Sequence, residues 1–352
     1  MKSEKQLALL QVFGAALFFG LSAPASKFLM NRIDSLVLAG LLYLGSWGAL
    51  SIFSFFQRVP KGASIGRKHL PWFLASVGIG GILGQLLLMW GISHTPASFA
   101  SLLINFEIIW TVLVAGLFFG EHLGIRVLLS MGLMFLSGAI LSFGGSLGTN
   151  FGFLGVLAVV GACLCWGIDN NLTGRISEID SVQLTRVKGG LSGAVNLGLA
   201  LFLGRRIPPD PAVIFALILG AVTYGGSLVL FVKALRILGT ARTGAFFAVS
   251  PFIGAIFSIL FLREPLTPNL LLAGLGMALA AFLLLGEKHS HAHLHSEIEH
   301  EHFHEHDEHH HHHEGEASAH SHPHLHDPLE HEHTHWPDTH HRHVHSSNDA
   351  MG

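Results

Sequence analysis

The sequence is poor in charged residues and in cysteine. Asp, Glu, Lys and Arg together make up 12% of the 352 residues, whereas 50% are hydrophobic and 41 are Gly. This balance is too apolar for a pair of soluble domains and indicates a membrane protein. Cys163 and Cys165 are the two cysteines of the chain, and on a helix they would point to different faces. The sequence therefore argues against a disulfide framework and a thiolate metal cluster.

The sequence also contains no phosphate-binding loop, nucleotide-binding domain or recognisable catalytic constellation. We therefore predict that the protein is not an enzyme, requires no cofactor and does not bind nucleic acid. Its expected partners are the lipid bilayer and a small-molecule or metal substrate, and a homodimer is a further expectation.

Long apolar runs dominate the first 286 residues. A helix needs about 20 apolar residues to cross a bilayer. Ten such segments are present: 7–29, 35–56, 70–92, 97–119, 126–145, 152–174, 187–204, 211–232, 243–262 and 268–286. Because backbone groups in hydrocarbon must be satisfied within helices, the sequence predicts an all-α integral membrane protein with ten transmembrane helices.

Part of the chain is duplicated. The stretch 91–123 and the stretch 234–266 both end in L-F-x-x-E-x-L, with the glutamates at Glu121 and Glu264. The motif F-F-G at 18–20 likewise corresponds to C-W-G at 165–167. The predicted domains are therefore two five-helix repeats, 1–146 and 147–287, followed by a tail, 288–352. An odd number of helices in each repeat makes the two repeats inverted, with a binding site between them near the bilayer midplane.

Basic residues predict the orientation of this bundle. With the N-terminus inside, 14 Lys and Arg residues, among them Arg186 and Lys188, lie in inner segments and five lie in outer ones. Because basic residues are enriched in cytoplasmic loops, we predict that both termini are cytoplasmic. The expected location is a bacterial cytoplasmic (inner) membrane.

These features together resemble the EamA-type drug/metabolite transporter superfamily. The resemblance covers residues 5–287 and rests on the two five-helix repeats, the aromatic-Gly motifs, and Glu107 and Pro251 in the middle of the fourth and ninth helices. Members carry amino acids, nucleotide sugars, sugars, drugs and other metabolites. The chain departs from the pattern at Ile108, where the family often has Pro, and in its histidine-rich tail.

Ionisable residues within the apolar runs are the candidate substrate or proton sites. Asp169 lies inside the sixth segment and Glu107 midway along the fourth, and a buried carboxylate is costly unless it faces the bundle interior or finds a partner. We expect these acids to exchange protons for substrate, although hydrogen bonding between helices is the alternative role. The full candidate set is Gln85, Asn105, Glu107, Trp166, Asp169, Asn170 and Asn171.

The tail differs in composition from the membrane region. It holds 24 of the 27 histidines and 13 of the 23 acidic residues but few apolar ones, so we predict disorder. Imidazoles on a flexible chain bind divalent metals such as Zn, Ni, Co or Cu. The predicted metal-binding residues are His289, His291, His293, His295, His300, His302, His304, His306, His309, His310, His311, His312, His313, His320, His322, His324 and His326.

Three functions follow from these patterns. The first is a multi-pass secondary transporter that moves a small metabolite, in the direction of efflux, by alternating access with proton coupling, while the tail binds metal as a regulator or buffer. The alternative is a transporter of Ni, Co, Zn or Cu with the tail as its cytoplasmic metal collector; Cys165 and Asp169, four residues apart on one helical face, keep it open. In the third, the bundle merely anchors a metal-buffering tail.

Overall fold

The computed structural model describes residues 2–56, 65–119, 125–143, 150–176 and 179–285, together with four short segments of the tail. Residues 1–287 belong to one compact unit and residues 288–341 to another. The regular secondary structure of the described residues in 2–285 is entirely helical.

Fifteen α-helices and two π-helical segments make up the described part of this unit. In chain order they are α1 (Lys2–Gly20), α2 (Ser22–Leu29), α3 (Ser35–Phe56), α4 (Leu70–Ser76), π1 (Val77–Gly84), α5 (Gln85–His94), α6 (Ala97–Leu103), α7 (Phe106–Phe119), α8 (Ile125–Phe143), α9 (Asn150–Gly174), α10 (Ser181–Phe202), α11 (Ala212–Gly220), π2 (Ala221–Gly226), α12 (Ser227–Leu238), α13 (Thr240–Phe247), α14 (Ser250–Phe261) and α15 (Pro268–Leu285).

Eight helical stretches of the described residues are long and apolar enough to cross a membrane. They are Glu4–Leu29, Ser35–Phe56, Leu70–His94, Ala97–Phe118, Ile125–Ser142, Gly152–Gly174, Ala212–Leu235 and Arg242–Phe261. Pro268–Leu284 is a shorter apolar helix. The all-helical membrane architecture expected from the sequence is therefore confirmed, and each of the ten predicted segments contains a helix.

The seventh predicted segment, 187–204, starts too late. The helix α10 begins at Ser181, where the Asp180 carboxylate accepts hydrogen bonds from the N–H groups of Val182 and Gln183, both at 3.0 Å. A side-chain cap of this kind fixes the first turn of a helix even where the residues that follow are polar. Arg186, which precedes the predicted segment, therefore lies within α10 together with Lys188.

Several long stretches are interrupted near their middle. Two residues separate α6 from α7 at Ile104–Asn105, and two separate α13 from α14 at Ala248–Val249. The segments π1 and π2 interrupt two other stretches, Leu70–His94 and Ala212–Leu235. A π-helical turn leaves carbonyl groups free for side-chain donors and is frequent at functional sites.

The tail contains four short strands in the described segments, where disorder was predicted. β1 (His289–His295) pairs antiparallel with β4 (Leu329–His335), and β2 (Ile298–Glu305) pairs antiparallel with β3 (Ala319–His326). The physical reason is the alternation of His with other residues, because a period of two is the spacing of a strand. A two-stranded pair is marginally stable in water by itself.

Candidate substrate cavity and its polar network

A cavity of about 450 Å³ lies within the helical unit. Its size is that of a site for a small molecule. Residues from α1, α3, α7, α9, α10, π2, α12 and α13 line it: Phe19, Tyr43, Glu107, Trp166, Asp169, Asn170, Thr185, Thr223, Tyr224, Ser227, Leu228, Phe231 and Phe247. Both carboxylates singled out in the sequence thus reach one cavity.

Asp169 is neutralised by a lysine that sequence reasoning missed as a partner. The Lys188 ammonium on α10 forms an ion pair with Asp169 Oδ2, and Ser76 Oγ on α4 donates a hydrogen bond of 2.6 Å to Asp169 Oδ1. The two charged side chains are 13% and 9% exposed. A buried pair with a further hydrogen bond satisfies both charges, so Asp169 has a fixed set of partners.

The π1 segment allows Asp169 and Trp166 to approach closely. A Cβ atom at Gly80 would clash with the Asp169 carboxylate, so only glycine fits there without a shift. Trp166 Nε1 donates to the Gly80 carbonyl at 3.2 Å, and Asn196 Nδ2 donates to the Gly81 carbonyl at 3.1 Å. Side chains from α9 and α10 thus satisfy carbonyl groups of the π-helical turn.

Glu107 has a different environment. It is half-buried on the first turn of α7, and Glu107 Oε1 accepts a hydrogen bond of 3.0 Å from Asn170 Nδ2. Asn170 also donates to Thr111 Oγ1, at 3.1 Å. In the described part of the chain, no Lys or Arg forms an ion pair with Glu107.

The other predicted site residues divide between the cavity and the helix contacts around it. Trp166 and Asn170 line the cavity with the two acids. Asn171 is buried and donates to the carbonyls of Gly167 and Thr111 at 2.8 and 3.0 Å, which joins α9 to α7.

Asn105 and Gln85 also lie outside the cavity lining. Asn105 donates to the Leu102 carbonyl at 3.0 Å, at the break between α6 and α7. Gln85 is buried behind Tyr224 and donates to its hydroxyl at 3.4 Å. Their involvement in substrate or proton binding stays a prediction.

Two contacts of the outer ends, by the predicted orientation, are structural. Glu264 accepts hydrogen bonds from the N–H groups of Ala97 and Ser98, at 2.7 and 2.8 Å, and so caps α6. Lys27 donates to three carbonyls that follow or end α5, those of Ile92, Ser93 and Thr95, at 2.6, 3.0 and 2.9 Å. A carboxylate at a helix start and an ammonium at a helix end both complement the helix dipole. Glu264 of the repeated motif is therefore a structural contact, whereas its counterpart Glu121 lies outside the described residues.

Two ion pairs join the α2–α3 turn to the α10–α11 connection. Arg32 Nη1 lies 3.0 Å from Asp210 Oδ2, and Arg205 Nη1 lies 3.5 Å from Asp34 Oδ2. The N–H of Ala212, followed by Arg32, lowers the pKa of Asp210 below its ordinary value of 3.8. Asp34 likewise caps α3 by accepting from Leu36 N at 2.9 Å. Both aspartates therefore combine a helix cap with a surface ion pair.

The described residues contain no group of three or more His, Cys, Asp or Glu side chains arranged to hold a metal ion. The Cys163 thiol faces α6, where Sγ lies 3.4 Å from the Leu103 carbonyl. Asp169 has Lys188 and Ser76 as its bonded partners. Of the predicted tail ligands, His306 and the run 309–313 lie outside the described residues.

A helical bundle of this apolarity, with acids around an internal cavity, is typical of multi-pass membrane transporters. The chain belongs to the EamA-like transporter family, which matches residues 6–143 and again residues 153–286. The resemblance inferred from the repeats and motifs is thereby confirmed at the level of the family.

Relatives support this membership. An uncharacterized transporter of Methanothermobacter thermautotrophicus is 28% identical over 78% of this chain and 85% of its own length. The uncharacterized transporter YvbV of Bacillus subtilis is 24% identical over 81% of this chain and 93% of its own. A crystal structure with 16% identity and a TM-score of 0.58 covers 78% of this chain and 95% of that chain, and shows the same fold.

Proposed function

We propose that this protein is a secondary transporter that exports a small metabolite by alternating access. Its ten helices cross the membrane as two inverted repeats, 1–146 and 147–287. Two successive family matches support this division. Further support comes from the paired interruptions, because a break in α6–α7 is matched by one in α13–α14, and π1 is matched by π2. Interrupted helices at corresponding positions of two repeats are a feature of substrate sites in transporters.

The single observation that carries the proposal is the cavity that Glu107 and Asp169 share. Charged groups within a membrane are retained where they serve a substrate or proton pathway. One acid is contributed by each repeat, so a rocking motion between repeats would change the surroundings of both. In this mechanism Glu107 exchanges a proton for substrate, while Asp169 and Lys188 act as a paired element between α9 and α10.

The orientation supports export. Asp169 lies five residues before the end of α9 at Gly174, which is about 7.5 Å along a helix. Lys188 is likewise close to the start of α10 at Ser181. The excess of basic residues supports a cytoplasmic location for this end of the bundle, in the proposed cytoplasmic (inner) membrane. A cavity that extends towards cytoplasmic helix ends is suited to loading from inside the cell.

Transport in proteoliposomes tests this function. Purified protein with a pH-sensitive dye inside the vesicles would be challenged with a panel of amines, amino acids, sugars and carboxylic acids. We expect one class to drive proton movement, with loss of the signal in Glu107→Gln and retention in Glu4→Gln, a matched change at an exposed position. Equal, pH-independent flux in the wild type, Glu107→Gln and Asp169→Asn would contradict proton coupling.

For the tail, 288–352, we propose a regulatory or buffering role through divalent Zn, Ni, Co or Cu. Its histidines supply imidazole ligands, which suit these ions. The strand register places three His–His pairs opposite one another in β1–β4 and three in β2–β3. Metal titration of the full chain against a chain ending at Lys288 tests this role. We expect metal binding to disappear when the tail is removed, while substrate flux in metal-free buffer persists. Loss of flux on truncation would contradict an accessory role for the tail.

The alternative of a transition-metal substrate gains less support. The spacing of Cys165 and Asp169 kept this alternative open, but Asp169 forms its ion pair with Lys188. Growth of a deletion strain on Ni, Co, Zn and Cu separates the metabolite transporter from the metal transporter. The strain would be complemented with the full chain or with the chain ending at Lys288. Metal sensitivity rescued only by the full chain would favour the metal transporter.

A further inference from the structure

The two acids of the cavity differ in charge compensation. Asp169 is bound by Lys188 and Ser76, whereas Glu107 is bound by the neutral amide of Asn170. With all three charged groups ionised, the cavity therefore carries one uncompensated negative charge, on Glu107. An uncompensated charge in a membrane bundle is costly, and a proton or a bound cation removes that cost.

Aromatic rings form most of the remaining cavity wall. Five of them make a continuous cluster in which ring centroids are 5.0–6.3 Å apart: Phe19 with Tyr224 and Phe247, Tyr43 with Tyr224, and Phe231 with Phe247. All five line the cavity together with Glu107. The faces of aromatic rings attract cations, and this attraction strengthens where water is excluded.

Other classes of substrate fit this cavity wall less well. An anion would need a free ammonium or guanidinium group, but Lys188 is already paired with Asp169 among the described residues. A sugar would need several free hydrogen-bond donors, whereas Trp166, Thr223 and Ser227 already donate to backbone carbonyls. A small inorganic cation would make no use of five rings. A cavity of about 450 Å³ has room for one ring or short aliphatic body with its amine.

We propose that the substrate is an organic cation, an amine with an apolar or aromatic body, whose ammonium group binds Glu107 while its body lies in the Phe19–Tyr43–Tyr224–Phe231–Phe247 cluster. This inference rests on the proposed function and specifies its substrate class. Proton and substrate compete for the same carboxylate, which is the requirement for exchange of one against the other.

The competition has a consequence for pH. The charged and titratable groups around Glu107 are Asp169 and Cys163 on α9, Lys188 on α10, Tyr43 on α3 and Tyr224 on π2. Asp169 and Lys188 compensate one another, so protonation of Glu107 is the step that removes the unbalanced charge. Affinity for a permanently charged cation should therefore fall as the pH is lowered.

Isothermal titration calorimetry of the full-length protein in detergent tests the proposal. The probes are benzyltrimethylammonium, benzyl alcohol and benzoate, which share a ring and differ in charge. We expect the cation to bind at least about tenfold more tightly than the other two, a difference of about 1.4 kcal/mol. We also expect its affinity to fall as the pH is lowered.

Variants assign the effect to the proposed contacts. Glu107→Gln should weaken the cation about tenfold or more, Glu107→Asp should retain part of the affinity, and Glu4→Gln should change nothing. Phe247→Leu should weaken the cation several-fold without affecting benzoate. Because the pH series uses the wild type, it remains decisive if a variant fails to fold.

Equal or tighter binding of benzyl alcohol or benzoate would overturn the substrate class, as would full affinity in a folded Glu107→Gln variant. The proton-flux panel separates this failure from failure of the transporter itself. Flux driven by an anionic or neutral metabolite would retain the proposed function and reject the organic cation.

Discussion

Carboxylates of the helix connections and carboxylates of the cavity bind different kinds of partner. Asp34, Asp210 and Glu264 each accept a hydrogen bond from backbone N–H groups at the start of a helix. Among the described residues, the hydrogen bonds to Asp169 and Glu107 come from side chains. Backbone caps are fixed by the fold, whereas side-chain partners can be exchanged when helices move. The difference separates structural acids from acids that can take part in transport.

Within the cavity the same contrast continues between the two acids. In the part of the chain that the structure describes, Asp169 forms an ion pair with Lys188, whereas the Glu107 carboxylate is bound by the neutral amide of Asn170. We therefore expect substitutions near Asp169 to affect stability first and substitutions of Glu107 to affect transport first.

The largest expected effect is the loss of stability on removing one partner of the buried pair. Lys188→Met leaves the Asp169 carboxylate unpaired, which costs about 3–5 kcal/mol. The double variant Lys188→Met/Asp169→Asn should recover most of this loss because neither charge remains. Thermal unfolding followed with a thiol-reactive dye is suited to the measurement, since Cys163 and Cys165 are buried. Equal destabilisation in the single and double variants would contradict the pairing.

The next effect concerns transport through Glu107. Glu107→Gln keeps the shape of the side chain and removes its charge, so we expect proton-coupled flux to fall at least about tenfold, equivalent to about 1.4 kcal/mol. Its melting temperature should remain close to that of Glu4→Gln, which serves as the matched control. A stability loss as large as that of Lys188→Met would show that Glu107 is structural.

Glu264→Gln should reduce stability by about 1–2 kcal/mol, because a charged cap on α6 becomes a neutral one. Proton-coupled flux, corrected for the amount of folded protein, should change little. The same dye assay and proteoliposome assay give both values. Flux abolished in a fully folded variant would place Glu264 among the transport residues. It would contradict the distinction between structural acids of the connections and transport acids of the cavity.

The smallest effect is expected at the exposed ion pairs. Arg32→Gln removes the partner of Asp210, but the Arg32 side chain is 64% exposed and solvent screens the pair. The pKa of Asp210 is lowered, so its contribution is present above pH 3.8 and is lost as the pH falls through the lower, folded-state value. Unfolding temperatures of wild type and variant between pH 3 and pH 6 check this, and a difference that grows towards low pH would contradict it.

The sequence was most informative where a residue type is rare in its surroundings. Glu107 and Asp169 were identified because carboxylates are costly in apolar helices, and both line the cavity. The histidine alternation was visible in the tail, but its period of two was not used to predict strands.

The sequence did not predict which neighbouring helix each polar side chain of α9 faces. Asp169, Asn170 and Asn171 are consecutive, so their side chains point about 100° apart. They consequently reach Lys188, Glu107 and the backbone of α7, respectively. Three neighbouring polar residues thus have three different environments.

Lys188 was missed because the positive-inside pattern alone explained it. The signal for the earlier helix start was present at Asp180, whose side chain caps α10. A lysine inside a membrane helix needs a partner of opposite charge, and Asp169 was already predicted to be a buried acid that needs one. Pairing acids with bases across predicted helices would have found this contact.

Measuring proton release on ligand addition shows whether Glu107 exchanges partners while Asp169 keeps Lys188. Purified protein in weak buffer with a pH indicator would receive benzyltrimethylammonium, benzyl alcohol or benzoate. We expect protons to be released by the cation alone, in the wild type and in Glu4→Gln, and none in Glu107→Gln. Release that persists in a folded Glu107→Gln variant would contradict it.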